Sequence, residues 1–284
     1  VKVVLTGEGS DELFAGYARY RHLLRGMGGA SLVRNMPTFV RTGVRNIIEE
    51  SSLLNADLRR KLQHTVLGRE DTFNSLYLDN YYAAFSEAET RRLVKGSSSD
   101  PYKGFAEVMS RAQNANMLRR LLYADQKTYL SELLRKQDRM SMACSIESRV
   151  PLLDHRLTEF SAGIPNDWKI RGKEGKFIVK KAVEGLLPDS IIWRTKMGFP
   201  TPIKNWLQGE TLTDIRQFVL SEDGLAHQYL DRDAIRKLFE QYESGKSDCT
   251  DRIWRLLTMQ MWHAIFIEGK QYQTLTLSEN LHRS

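Results

Sequence analysis

The chain has 284 residues, 41% of them hydrophobic and 27% charged, with a mean hydropathy of −0.44, which is the composition of a folded domain and excludes disordered and collagenous classes. Its most apolar run, residues 261–267, is broken by His263 and falls far short of the roughly 20 residues of a membrane span, so no membrane partner is expected. Lys plus Arg number 42 against 35 for Asp plus Glu, a net charge of +7 that draws in polyanions; yet Arg19, Arg21, Arg25, Arg34, Arg59 and Arg60 are spread along the chain rather than gathered with aromatics, which argues against a specific nucleic-acid surface.

The sequence opens on Val1-Lys2-Val3-Val4-Leu5, a buried-strand pattern with no initiator Met and no signal peptide, so the chain reads as cut from something longer. A lone strand needs neighbours for its backbone groups, and the remainder offers few. Helical spacing follows at Leu13, Phe14, Tyr17, Tyr20 and Leu24, with a break expected at Gly26, Gly28 and Gly29. Pro37 starts a further helix, and Ser51, Ser52, Asn55 and Asp57 read as loop. Residues 96–101, a Gly-Ser-Ser-Ser-Asp-Pro tract, form the clearest linker. Helices are expected over 102–113 and 116–125, the second carrying Leu118, Leu121, Leu122 and Asp125 on one stripe.

An extended piece over 149–154 leads into a helix over 155–162 that Pro165 stops. A helix over 174–187 precedes an irregular segment, 187–204, marked by Pro188, Gly198, Pro200 and Pro202. In the tail, 231–268, Trp254, Leu257, Met261 and Ile265 make a core-facing stripe. No internal repeat is present, which excludes a solenoid. The two cysteines, Cys144 and Cys249, lie in no Cys-x-x-Cys or zinc spacing, which fits a reducing cytoplasm; Cys144 is read as a small buried filler. His22, His64, His155, His227, His263 and His282 show no paired metal spacing.

The segment Thr6-Gly7-Glu8-Gly9-Ser10-Asp11-Glu12-Leu13-Phe14-Ala15-Gly16-Tyr17 joins strand to helix through glycines. Gly7 and Gly9 permit close backbone approach, Ser10 or Asp11 can cap the helix, and free N–H groups at its start suit a phosphate. Glu8, Asp11 and Glu12 would repel a bare polyphosphate unless a cation such as Mg²⁺ lies between. By itself the turn reads as readily as a structural cap or calcium-like loop as it does as a nucleotide site.

These residues, TGEGSDELFAGY, resemble the S-G-E-G-S-D-E-x-F-G-G-Y signature in the synthetase domain of glutamine-hydrolysing asparagine synthetases. Residues 129–154, YLSELLRKQDRMSMACSIESRVPLLD, are similar to that family's helix-plus-loop block, and residues 193–200, WRTKMGFP, to its lysine loop. The resemblance implies the carboxy-terminal helical part of an α/β adenine-nucleotide α-hydrolase-like domain, an ATP pyrophosphatase of the P-P-loop type, here a mostly α chain with one parallel strand at its N-terminus. It divides as strand and signature turn over 1–17, a helical region over 18–100, a helical body with substrate and lysine loops over 101–208, and C-terminal helices over 209–284. The region 25–96 matches the family weakest.

What the resemblance further implies is a ligase that joins aspartate to AMP and lets ammonia displace the AMP, with ATP and Mg²⁺ as cofactors. Glu8 and Lys196 take the catalytic positions, Thr6, Gly7, Gly9 and Ser10 meet the nucleotide, and Asp11 matches the magnesium carboxylate. Asp138, Arg139, Glu147 and Arg149 are candidates for the substrate side, although Glu147 and Arg149 read equally as an ion pair that fixes the segment before Pro151. Lys176 and Lys180 are weaker candidates for phosphate, since helix lysines are usually solvated. Thr6 replaces the usual Ser and Ala15 the usual Gly; both stay small.

The family's pyrophosphate loop, Ser-Gly-Gly-x-Asp-Ser, occurs nowhere in the sequence, nor does an amino-terminal glutaminase domain; both are expected as upstream partner segments, and the chain alone is expected to be inactive. An open strand edge would make it adhesive or dimeric. The enzymatic alternatives are a β-lactam synthetase or a peptide cyclase, the first disfavoured by Glu8; a different class of reading is a helical interaction module.

Overall fold

The computed structural model describes residues 1–50, 58, 62–96, 99–195, 201–222 and 224–271. It is mostly helical, and the chain divides into two compact units, Val1–Tyr81 with Pro101–Lys196, and Tyr82–Asp100 with Met197–Ser284. The expected linker over 96–101 thus falls where the chain passes from one unit to the other. Among the described residues no helix is long and apolar enough to cross a membrane.

The first unit begins with strand β1 (Val3–Leu5), whose β-branched residues favour extended backbone. Helices α1 (Ser10–Phe14), α2 (Ala18–Arg34) and α3 (Thr38–Glu50) follow, then a π-helical turn at Asn74–Leu78. After α4 (Lys103–Ser110), α5 (Met117–Lys127) and α6 (Tyr129–Ala143) comes β2 (Glu147–Arg149). Next in the unit come α7 (His155–Gly163), α8 (Asn166–Lys169), the hairpin β3 (Ile170–Arg171) and β4 (Glu174–Gly175), and α9 (Phe177–Ala182), before a last short helical turn at Asp189–Ile192.

Strand β1 is not alone. It pairs in parallel with β2, Val3 opposite Glu147, Val4 opposite Ser148 and Leu5 opposite Arg149, and the Thr6 amide extends the ladder to the Arg149 carbonyl at 2.9 Å. Sequence reading started its extended piece at Arg149 and so missed this partner, because Glu147-Ser148-Arg149 carries no apolar alternation. Val3 and Leu5 nevertheless stay exposed. The expected break at Gly26, Gly28 and Gly29 is also corrected: α2 runs through all three, since buried Leu23 and Val33 anchor it on both sides and isolated glycines weaken a helix by only about 1 kcal/mol each. The break lies earlier, at Ala15 and Gly16, where Ala15 adopts a left-handed conformation.

The expected helix over 174–187 is shorter, because Glu174 and Gly175 belong to the hairpin and α9 starts at Phe177. Cys144 is exposed, not a buried filler, at the C-cap of α6. Leu13, Phe14 and Ile164 form the core beneath α1, with Leu153, Leu157, Ile178 and Val179 packed against them.

The second unit is built from the helices α10 (Gly209–Val219), α11 (Leu225–Tyr229), α12 (Arg232–Glu243) and α13 (Thr250–Phe266) around a core that includes Leu212, Ile215, Ile235, Phe239, Ile253 and Leu256. The α13 stripe is displaced from the expected one: Ile253, Leu256, Leu257, Gln260 and Ala264 are buried, whereas Met261 is exposed. Gln260 is tolerated there because its side-chain oxygen accepts the Leu225 amide at 2.8 Å.

Candidate active site

Residues 6–10 leave the carboxyl end of β1 and turn into α1, the place where a parallel pair presents a ligand crevice. Gly9 has φ +87°, and a Cβ there would lie 2.1 Å from Leu153 Cδ2, so the turn needs glycine for both conformation and space. Gly9 is itself the N-cap of α1, with no side-chain hydrogen bond; the expected capping by Ser10 or Asp11 does not occur, because both residues are already inside the helix. Thr6 and Glu8 are half-buried, Gly7 is exposed and Ser10 is buried.

Asp11 and Lys176 face each other across the unit, with Nζ 2.9 Å from Oδ2. Three backbone devices bring them together. The Lys176 amide donates to the Phe14 carbonyl at 3.0 Å. Lys176 itself is left-handed at φ 52°, as is Ala15 at φ 58°, and non-glycine residues hold that conformation only where surrounding contacts impose it. Gly16 leaves the pair its room, since a Cβ there would stand 1.9 Å from Asp11 Oδ1 and 2.2 Å from Lys176 Cε. Lys180 is engaged with Glu174 of the hairpin, while Lys196 lies outside the described residues.

Behind Asp11 lies a polar network that sequence reasoning did not single out. Glu12 is 1% exposed; it accepts the Tyr17 hydroxyl on Oε1 at 2.7 Å, and Oε2 has no hydrogen-bond partner among the described residues. Burial raises its pKa above the ordinary 4.5, against the lowering effect of the Tyr17 hydrogen bond. The Tyr17 phenol is itself pushed up, first by burial and then by the Glu12 carboxyl. Arg19 lies over the Tyr17 ring at 3.8 Å and the Tyr129 ring at 4.8 Å. It reaches the fully buried Asp125 at 2.7 Å, and Asp125 also accepts the Tyr20 and Tyr77 hydroxyls. The signal for Asp125 was present: a carboxylate on the Leu118, Leu121, Leu122 stripe of α5 had to be paired.

The substrate-side candidates separate. Asp138 and Arg139 are exposed on α6, and Glu147 and Arg149 form an ion pair along β2. The described residues do not form a magnesium site: no group of three His, Cys, Asp or Glu side chains among them could hold a metal, and Asp11 already faces the Lys176 ammonium.

A family model described as asparagine synthase matches residues 1–264. Glutamine-hydrolyzing asparagine synthetase 1 of Bacillus subtilis is 29% identical over 284 residues, covering 98% of this chain and 42% of that protein. The putative glutamine-hydrolyzing asparagine synthetase of Mycobacterium bovis is 31% identical over 275 residues, covering 94% of this chain and 40% of that protein. Amidase chyE of Penicillium rubens is 25% identical over 264 residues. No solved structure matches. The chain spans about two fifths of the length of the synthetases it matches. A motif-bearing turn at the carboxyl end of β1, joined to a match over nearly the whole chain, places this protein in the asparagine synthase family.

Proposed function

We propose that this chain is the ATP-handling and carboxylate-activating part of a glutamine-dependent asparagine synthetase, a cytoplasmic ligase of asparagine biosynthesis. The observation that carries the reading is the turn of residues 6–12 at the end of β1, with its acids and with a lysine held against it. In the reaction an aspartate side-chain oxygen attacks the α-phosphorus of ATP and expels pyrophosphate; ammonia then attacks the acyl carbon and expels AMP. Charge accumulates on phosphate oxygens in the first step, so a cation at the site assists more than a nucleophile would. Lys196 has that role from the lysine loop, and Lys176 adds a second ammonium beside Asp11.

Thr6, Gly7, Gly9 and Ser10 meet the nucleotide, and Glu8 takes the proton that the attacking amine must lose. Asp11 would be the carboxylate that the described residues offer to a magnesium site, the others coming from an upstream pyrophosphate-loop segment. The glutaminase that supplies ammonia belongs to that upstream part too, in keeping with the roughly 40% share of the relatives that this chain spans.

The test is calorimetric titration of ATP with Mg²⁺ into the chain, alone and with an upstream segment of the kind its relatives carry. Binding, and pyrophosphate release dependent on aspartate, are expected only with the segment, and Glu8→Gln should retain binding while losing asparagine formation. Turnover by the chain alone would overturn the division of the site. No binding in either arm would overturn the nucleotide reading and favour a helical interaction module.

A further inference from the structure

Gln137 lies on α6, one residue before Asp138 in the block that resembles the family, and carries no role in the reading above. Its Nε2 donates to Thr6 Oγ1 at 2.7 Å and also to the Ser148 hydroxyl on β2. One amide therefore ties the carboxyl end of β1 to its parallel neighbour and fixes the hydroxyl at the mouth of the nucleotide turn. The side chain is half-buried, and Oε1 is buried without a hydrogen-bond partner among the described residues. This orientation strands one acceptor, whereas the reversed amide would strand two donors, so the donor-inward arrangement is the cheaper one.

A hydroxyl that accepts on one lone pair keeps its own proton for another partner. We propose that Gln137 is a positioning residue: it occupies the acceptor side of Thr6 Oγ1 so that the Thr6 hydroxyl donates its proton to an acceptor atom of the bound nucleotide. The proposal rests on the nucleotide reading of residues 6–10 and goes beyond it by assigning the polarity of one contact and the group that sets it. Without Gln137 the hydroxyl rotates freely and meets the nucleotide with no fixed direction.

The experiment measures ATP affinity by calorimetry and ATP KM and kcat by pyrophosphate release, in the chain combined with an upstream segment of the kind its relatives carry. Gln137→Leu should weaken ATP binding and raise its KM by about tenfold, the worth of one net hydrogen bond, with kcat within about twofold because the contact is the same in ground and transition states. Gln137→Glu, nearly identical in shape but able only to accept at neutral pH, would turn the Thr6 proton inward and should lose as much. The decisive comparison is a double-mutant cycle with Thr6→Val: once the hydroxyl is gone, Gln137→Leu should cost nothing further. Equal losses on both backgrounds, a fall in kcat alone, or wild-type affinity in Gln137→Glu would each overturn the proposal. Failure of the unsubstituted assembly to bind ATP would instead overturn the nucleotide reading beneath it.

Discussion

Asp125 is the sharpest test of how the first unit is held together. Its carboxylate is fully buried, and its donors include the Arg19 guanidinium at 2.7 Å and the hydroxyls of Tyr20 and Tyr77. Asp125→Ala removes the acceptor for all of them at once in a place that water does not reach. The dominant loss is the carboxylate that faces Arg19, whose side chain is itself only 11% exposed; breaking one side of such a pair costs about 3–5 kcal/mol. Against a usual domain stability of about 5–15 kcal/mol, the first unit should melt well before the second. Urea unfolding followed separately in the two units, by amide exchange or by tryptophan probes, measures the difference. The companion variant Asp125→Leu with Arg19→Met replaces both charges by apolar volume and should regain most of the loss, since apolar isosteres of buried pairs are often neutral. A loss under about 1 kcal/mol in Asp125→Ala, or no recovery in the double variant, would refute the view that this network is a desolvated charge pair.

Three more outcomes follow from the geometry. Glu12 has a raised pKa because it is buried, so the folded state holds its proton more tightly than the unfolded one; the stability this gives is complete below pH 4.5 and is lost as pH rises through the folded value, and Glu12→Gln should flatten that decline in urea titrations from pH 4.5 to 8. The Lys169 amine is pushed down to about 8 by burial and then by Arg119, which makes its charge a burden at neutral pH that is relieved between about pH 8 and 10.5; Lys169→Met should melt higher than the parent at pH 7, with the gap closing by pH 10. Gly16→Ala drives a methyl to 1.9 Å from Asp11 Oδ1, so the Asp11–Lys176 pair must part; stability should fall by about 1–3 kcal/mol, and ATP titration into the chain combined with an upstream segment should lose its signal.

Helical character, the 96–101 boundary and the glycine turn between β1 and α1 were all legible in the sequence, because apolar spacing, a Gly/Ser tract and a dense motif are local signals. Other features depended on partners distant in sequence. Strand β2 was missed because Glu147-Ser148-Arg149 has no strand-like alternation and is extended only by its ladder to β1. Gly26, Gly28 and Gly29 carry a helix that tertiary burial on either side sustains against their propensity. Lys176 read as a weak phosphate candidate on a solvated helix face, since nothing within six residues of it announces that Asp11 stands opposite. Glu12 looked like one more acid of a cation loop until burial separated it from Asp11, its neighbour in the chain. Gln137 sat inside a recognised block and was passed over, its meaning being the two hydroxyls it joins.

Ala15 and Lys176, the two strained residues that meet at Phe14 and Gly175, have a consequence for how this turn can change. A Cβ on Gly175 would stand 2.5 Å from the Ala15 carbonyl oxygen, so the backbone after α1 and the backbone after the hairpin are fitted as a lock is to its key. The twelve-residue motif is for that reason not a portable cassette: grafted onto a host without the 170–175 hairpin, it would keep its letters and lose its shape. Chimeras between relatives should tolerate crossovers that carry both stretches together and reject those that part them, so the hairpin is as much a hallmark of the site as the motif itself.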